Sequence, residues 1–187
     1  PRANIAVANI AKTEMALTHL AKQFYDRTTE RKYIALVWGD LKEDGFVEGN
    51  IGRSLKNRKV MSVFPDSDYG KFSKTHYKVI ERFGLVTLIE CKLETGRTHQ
   101  IRVHMKHIGH PLFNDLEYGG NKILRGTISV PYRKFVESCF SLLSGQALHA
   151  KSLGLIQPQT KQTLFFESEL PISFSKLLSQ WRKYCVD

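Results

Sequence analysis

The stretch of sequence that decides the fold class is KTHYKVIER-FG-LVTLIECKL, which occupies residues 74–93. Its two arms are rich in Val, Ile, Thr and Tyr, the residue types that pleated strands favour. Phe83 and Gly84 separate the arms at a spacing typical of a hairpin turn. The stretch therefore predicts two adjacent antiparallel strands, at residues 74–82 and 85–93.

The segments on both sides of this hairpin extend the prediction to a sheet with helices. Residues 31–38, RKYIALVW, have a strand pattern that is apolar enough for the centre of a sheet. Apolar residues recur at helical spacing after Thr13, over 98–108 before Gly109, over 132–143 and over 173–184. Shorter strands are expected at 46–51, 60–64, 147–156 and 163–167. The predicted fold class is α+β, a mostly antiparallel sheet with flanking helices.

The composition predicts one domain with an anionic partner. The chain has 187 residues, of which 28 are Lys or Arg and 18 are Asp or Glu, and its net charge is +10. No repeat or linker divides the sequence, so residues 1–187 are expected to form a single domain. The surplus of positive charge indicates a polyanion, most simply a nucleic acid.

Membrane spans, disulfides and metals are not expected. The longest apolar run, residues 34–38, is far shorter than the roughly 20 residues of a membrane span. Three cysteines without a CxxC pair argue against a disulfide scaffold and against a structural zinc site, and they indicate a reducing cytoplasm. His99, His104, His107 and His110 do not share one helix face, so no metal site is predicted there.

The segment LETGRTHQIRVH, residues 93–104, carries the strongest indication of chemistry. A strand is expected to end at Gly96, and a helix follows with Arg97 at its start and Arg102 further along. Backbone N–H groups and arginines at such a corner suit a phosphate or a carboxylate. The alternative is a basic surface helix beside a turn.

This segment resembles the motif of the RluA-type pseudouridine synthases, which convert uridine to pseudouridine in ribosomal or transfer RNA. The resemblance extends to IGHPL at 108–112, to Asp115 with the following YGG, and to RKYIALVWG at 31–39. It also includes QALHA at 146–150 and FESELP at 166–171, so it runs from about Ala11 to the C terminus. It implies a pseudouridine-synthase-like catalytic domain that acts on structured RNA and needs no metal or organic cofactor.

The resemblance also implies roles for individual residues. Tyr33 would stack on the target base or assist proton transfer from C5, and Leu148 would pack beneath the base. Arg102 would form an ion pair with the catalytic carboxylate and orient it. Further positioning or RNA contacts would come from the motif's polar residues Arg97, His99 and Gln100.

A basic loop is a second candidate contact with RNA. Arg53, Lys56, Arg58 and Lys59 follow one another with no acid between them. Such a loop is either a solvated surface segment or a set of phosphate contacts over bound RNA. Of the residues in this loop, Arg58 and Lys59 are predicted to bind the substrate.

The start of the chain departs from the family pattern. The family's nucleophile is an aspartate in a His-Arg-Leu-Asp segment that leads into Ala-Lys-Thr. Ala11, Lys12 and Thr13 are present, but no aspartate precedes Asp26, and counting back places the nucleophile at Pro1. The expectation is a pseudouridine synthase whose nucleophile segment is absent from residues 1–187, which alone would be inactive. The alternative is a non-catalytic RNA-binding protein on the same scaffold, and the oligomeric state stays open.

Overall fold

A computed structural model of the chain describes residues 11–65 and 68–185, and the predicted nucleophile position at Pro1 lies outside them. The described residues form seven strands and four helices in one α+β arrangement. In chain order these are α1 (Glu14–Tyr25), β1 (Glu30–Trp38), β2 (Gly45–Arg53), β3 (Met61–Phe64), β4 (Lys71–Arg82), β5 (Val86–Leu93), α2 (Gln100–His107), α3 (Val130–Ser141), β6 (Leu148–Ile156), β7 (Thr163–Glu167) and α4 (Ile172–Tyr184).

The strands form one antiparallel sheet in the order β3-β2-β4-β5-β1-β6-β7. The hairpin predicted at residues 74–93 is β4–β5, and Gly84 turns it with a φ of +72° that favours glycine. β1 lies between β5 and β6, and its residues from Ile34 onward are buried. The predicted α+β fold with a mostly antiparallel sheet is therefore confirmed.

The two faces of β1 pack against different helices because side chains alternate along a strand. On one face Trp38 contacts Phe113 and lies 6.3 Å from Trp181 of α4, measured between ring centroids. On the other face Val37 packs in a second cluster with Ile101 and Met105 of α2. The candidate site lies on the α2 side of the sheet.

The segment between α2 and α3 bonds to the end of β1, beyond the residues of β1 that pair with β6. The Trp38 amide donates to the carbonyl of Pro111, and the Phe113 amide donates to the carbonyl of Leu36. Leu112 forms an isolated bridge with Val37, and β6 starts opposite Ala35. These bonds fix the path of the loop that carries Asp115.

The helix predicted over 98–108 begins later than its apolar pattern indicates. His99 has a φ of +57°, which is outside the helical region, and α2 begins at Gln100. The amide of Gln100 donates to the carbonyl of Arg97, so a tight turn occupies the expected first helical residues. None of the helices in the described part of the chain is long and apolar enough to cross a membrane.

Candidate active site

Tyr33, Arg102 and Leu148 meet in a cavity of about 290 Å³, which we call the base pocket after the roles that the family resemblance implies for these residues. They come from β1, α2 and the first residue of β6 respectively. Leu93 and Ile101 add apolar surface to the same cavity. The three residues with implied roles are thus brought together by different elements on one face of the sheet.

Tyr33 provides a neutral aromatic side chain to the pocket. It lies opposite Cys91 in the β1–β5 pairing and is half-buried. Burial raises the pKa of its phenol, and nearby Arg31 opposes that effect only in part. The hydroxyl group therefore stays protonated at neutral pH and can donate a hydrogen bond.

Arg102 is held by two carboxylates of its own chain. Its Nε and Nη2 donate to Asp115 at 2.8 and 2.7 Å, and Nη2 also donates to Glu117 at 2.7 Å. Burial acts to lower the pKa of Arg102, but the hydrogen bonds and charges of these carboxylates outweigh it and raise the pKa. The guanidinium also lies 4.7 Å from the ring centroid of Tyr118.

The sequence predicted that the carboxylate partner of Arg102 lies outside residues 1–187. The structure does not test this prediction, and it shows in addition that Asp115 and Glu117 pair with the arginine. Within residues 11–65 and 68–185 these bonds use Nε and Nη2 and leave Nη1 without a hydrogen bond. A pairing with a catalytic carboxylate stays a prediction.

Gln100 lies in the base pocket's wall with its side chain committed to other protein groups. The residue is 3% exposed. Its Oε1 accepts from the Thr95 hydroxyl and the Arg97 amide, and its Nε2 donates to the Lys74 carbonyl and the Thr75 hydroxyl. These bonds fasten the turn before α2 to β4, so Gln100 determines where Arg97 lies.

His99 faces the pocket from the turn and contacts Tyr118. Its Nδ1 lies 3.0 Å from the Tyr118 hydroxyl oxygen, which also accepts a hydrogen bond from the Met61 amide. Burial is the largest cause of the lowered pKa of His99, and the charge of Arg102 adds to it. His99 is therefore neutral at physiological pH.

Arg97 is the residue shared by the base pocket and two neighbouring cavities. Its Nε and Nη2 lie 3.3 Å from the carbonyl oxygen of Phe72, a long contact that both nitrogens share. The side chain is half-buried. Arg97 thus borders the pocket with its charge uncompensated by a carboxylate of the described residues.

Arg58 and Lys59 lie away from the base pocket. Both are exposed on the loop between β2 and β3, and neither lines the pocket. The Arg58 carbonyl accepts a hydrogen bond from Arg53, and the Lys59 amide donates to Asn57. They are therefore not part of the base pocket, and their contact with RNA stays a prediction.

Several residues of the site were not predicted from the sequence: Asp115 and Glu117 as partners of Arg102, Tyr118 beneath it, and Arg31 beside Arg97. A physical argument was available for Asp115. An arginine on the helix face that carries Ile101 and Met105 is buried, and a buried arginine needs a carboxylate. Arg31 could have been found from its position two residues before Tyr33, on the same strand face.

The described residues contain no group of three or more His, Cys, Asp or Glu that could hold a metal ion. His104 is fully buried on the inner face of α2 with Nδ1 2.9 Å from the Thr75 hydroxyl, and His110 contacts the carbonyl of Trp38. These histidines have structural partners.

The sequence of the chain is similar to those of known proteins. The sequence profile described as RNA pseudouridylate synthase matches residues 9–107, just over half of the chain. The chain belongs to the RNA pseudouridylate synthase family. The match ends at His107, the last residue of α2, and includes β1 with Tyr33, the turn with Arg97, and Arg102 of α2.

Two curated members of the family have similar sequences. The chain is 44% identical over 178 residues to an uncharacterized RNA pseudouridine synthase of Chlorobaculum parvum, with 92% of this chain and 53% of the relative covered. It is 44% identical over 173 residues to ribosomal large subunit pseudouridine synthase D of Nitrosomonas europaea, with 92% and 47% covered. The chain spans about half the length of the curated relatives it matches.

Two solved structures of the family have the same fold. Human RNA pseudouridylate synthase domain containing 4 superposes with a TM-score of 0.69 at 22% identity, covering 91% of this chain and 69% of that chain. Human RNA pseudouridylate synthase domain containing 1 gives a TM-score of 0.67 at 24% identity, with 94% and 73% covered. At these identities the likeness establishes the fold alone.

Proposed function

We propose that this chain is the base-binding part of an RNA pseudouridine synthase that isomerises uridine in large-subunit ribosomal RNA. The observation that carries the proposal is the convergence of Tyr33, Arg102 and Leu148 on one cavity, whose volume of about 290 Å³ suits a single nucleobase. The choice of ribosomal RNA is supported by relatives named ribosomal large subunit pseudouridine synthase D.

A pocket of this kind requires a base that has left its stack, since a paired base cannot reach a half-enclosed cavity. In our proposal the ring of Tyr33 and the side chain of Leu148 contact the extruded uracil. Because the phenol of Tyr33 is protonated at neutral pH, its oxygen assists in this proposal by accepting the C5 proton while its own proton passes to solvent.

Arg102 orients the nucleophile in this proposal. Asp115 and Glu117 hold the guanidinium on the Nε and Nη2 side, so its orientation is fixed before any substrate arrives. The remaining nitrogen, Nη1, donates to the nucleophilic carboxylate. The proposal requires an aspartate at the position of the family motif, and residues 1–25 contain none.

Gln100 is a positioning residue in this proposal, while Arg97 and His99 contact the RNA. Arg58 and Lys59 contact a more distant part of the same structured RNA. The net charge of +10 supports a polyanionic partner. Cys91, Cys139 and Cys185 are free thiols, which supports a cytoplasmic location.

The test is tritium release from C5-labelled uridine in a large-subunit ribosomal RNA transcript. The full-length gene product is expected to release tritium, and Tyr33→Phe should lower the rate by roughly 100-fold or more. Arg102→Lys keeps the charge but loses the planar fork, and roughly 100-fold is expected from misplacement of the carboxylate. The control is Arg182→Lys, an exposed residue of α4 paired with Glu81.

The alternative is a non-catalytic RNA-binding protein, which the absence of an aspartate before Asp26 favours. RNA binding by the full-length product without tritium release from any cellular RNA would establish that alternative and refute isomerisation. Residues 1–187 alone are expected to bind RNA without releasing tritium.

A further inference from the structure

A second and larger cavity of about 830 Å³ adjoins the base pocket and shares Arg97 with it. We call it the basic cleft and define it by the four cations that line it, Arg27, Arg31, Lys71 and Arg97. They come from the α1–β1 turn, β1, β4 and the turn before α2. The proposed function of the base pocket does not use Arg27, Arg31 or Lys71.

The charges of the basic cleft have no carboxylate partners in the described ranges, 11–65 and 68–185. None of the four cations takes part in an ion pair there. Asp26 also lines the cleft, but it pairs with Lys22 at 2.8 Å. Some basic residues elsewhere do pair with carboxylates, for example Lys74 with Glu48 and Arg82 with Asp40.

Arg31 is built into the cleft wall. It is half-buried, and its Nε has no solvent contact and no hydrogen bond within the described part of the chain. Its guanidinium lies 5.4 Å from the ring centroid of Phe24. A Cβ at Gly96 would lie 2.5 Å from Nη1 of Arg31, so glycine at 96 leaves room for the guanidinium.

The environment of Arg31 disfavours its charge. Burial lowers the pKa of Arg31, and the neighbouring Tyr33 opposes that effect only weakly. A half-buried guanidinium without a carboxylate gains most from an anion that it can bind with two nitrogens.

The basic cleft lies one same-face step from the base pocket. Arg31 and Tyr33 are two residues apart on β1, which is about 6.6 Å along a strand. That separation is comparable to the reach from a base to the phosphate of its own or the adjacent nucleotide. Arg97 lines both cavities, so the two are neighbours.

We propose that the basic cleft binds a phosphodiester group of the RNA strand next to the nucleotide in the base pocket, with Arg31 and Arg97 as its principal contacts. That the anion is RNA rests on the proposed function. That the cleft binds an anion rests on the uncompensated charges alone. A free phosphate or a nucleotide has the same chemistry and is the other source to be tested.

The first experiment measures how salt affects binding of a 20-nucleotide oligouridylate to the full-length protein. Log affinity against log salt falls with a slope of about −0.7 for each phosphate contact to a single strand. Arg31→Gln and Arg97→Gln should each make the slope shallower by about 0.7 and weaken binding several-fold. Arg182→Gln removes the same charge from α4 and should leave the slope unchanged. An unchanged slope in Arg31→Gln overturns the proposal.

The second experiment identifies the source of the anion from the side-chain Nε–Hε NMR signal of Arg31. Oligouridylate should shift this signal at concentrations where inorganic phosphate, at matched ionic strength, does not. A larger response to inorganic phosphate would make the cleft a free-anion site and refute the phosphodiester assignment. The signal of Arg182 is the internal reference.

Neither measurement requires isomerisation, so the two proposals fail separately. If the full-length protein released no tritium but Arg31→Gln still made the salt slope shallower, the proposed function would be refuted and the cleft assignment would stand. Normal release in Arg31→Gln with an unchanged slope would refute only the cleft assignment.

Discussion

Arg102 and Arg31 lie on the same side of the sheet in neighbouring cavities, yet their surroundings are opposite. The side chain of Arg102 is 9% exposed and pairs with Asp115, whose side chain is 0% exposed, and with Glu117. Arg31 has no carboxylate partner among the described residues, and one of its nitrogens is buried without a hydrogen bond. The charge of Arg102 is thus balanced by carboxylates of the protein, and we call Arg102, Asp115 and Glu117 the closed region. The charge of Arg31 is not balanced in this way and can bind an anionic ligand.

The difference teaches how one face of the sheet can serve both stability and binding. In the closed region, loss of either partner destabilises the fold because the remaining charge is then buried without a counter-charge. An uncompensated guanidinium contributes nothing of that kind, and its attraction is available to an anion from outside. Arg97 lines both cavities. Its backbone amide is fixed by Gln100, and within the described residues its guanidinium contacts a carbonyl oxygen and no carboxylate.

The largest effect on the free energy of unfolding is expected when the buried pair between Arg102 and Asp115 is broken. Asp115→Asn removes the buried charge that faces Arg102, and removal of one partner of a buried pair costs about 3–5 kcal/mol. We expect a loss near the lower end, because the amide oxygen still accepts one hydrogen bond. Urea unfolding of the two proteins measures it.

The matched control is Glu117→Gln, which changes the exposed partner of the same arginine. The Glu117 side chain is 48% exposed, so its loss should cost about 0–1 kcal/mol. If Asp115→Asn and Glu117→Gln lowered the free energy of unfolding equally, Arg102 would not depend on the buried pair.

The second effect concerns His104, a fully buried residue of α2 that lies two residues after Arg102. Burial lowers the pKa of His104 to about 4, and the charge of His107 adds to the shift. The unfolded chain takes up this proton near pH 6.5. Stability contributed by the neutral form is therefore complete above pH 6.5 and is lost as the pH falls toward 4, by roughly 3 kcal/mol.

The measurement is the free energy of unfolding at pH 7 and at pH 4.5 for the wild type and His104→Asn. The asparagine retains a polar group near the Thr75 hydroxyl but does not titrate. Asp40 and Glu94 also have lowered pKa values, so both proteins lose stability in acid, and only the difference between them reports His104. Equal losses in the two proteins would contradict the assignment.

The fold was predictable from the sequence because its main patterns are local. The hairpin of β4 and β5 follows from strand-forming residues on either side of Gly84, and β7 occupies the predicted residues, Thr163–Glu167. The start of α2 was predicted too early because nothing in the apolar pattern reveals the left-handed conformation of His99.

The site was predictable only where the family resemblance covers it. Tyr33, Arg102 and Leu148 came from that resemblance, and the structure places them in one cavity. The pairing of Arg102 with Asp115 depends on how the loop after α2 bonds to β1, which no local pattern shows. The basic cleft was missed because its four cations come from four separate parts of the chain.

The smallest effect on stability is expected at Arg31, and it provides the sharpest test of the comparison. Arg31→Met keeps an apolar side chain but removes a half-buried charge without a carboxylate, together with its contact with the Phe24 ring. We expect the free energy of unfolding to stay unchanged or to rise by up to about 1 kcal/mol, because no partner loses its counter-charge. Urea unfolding beside Asp115→Asn measures the contrast. If Arg31→Met were destabilised as strongly as Asp115→Asn, the guanidinium would support the fold, and the contrast between a closed and an open arginine would be wrong.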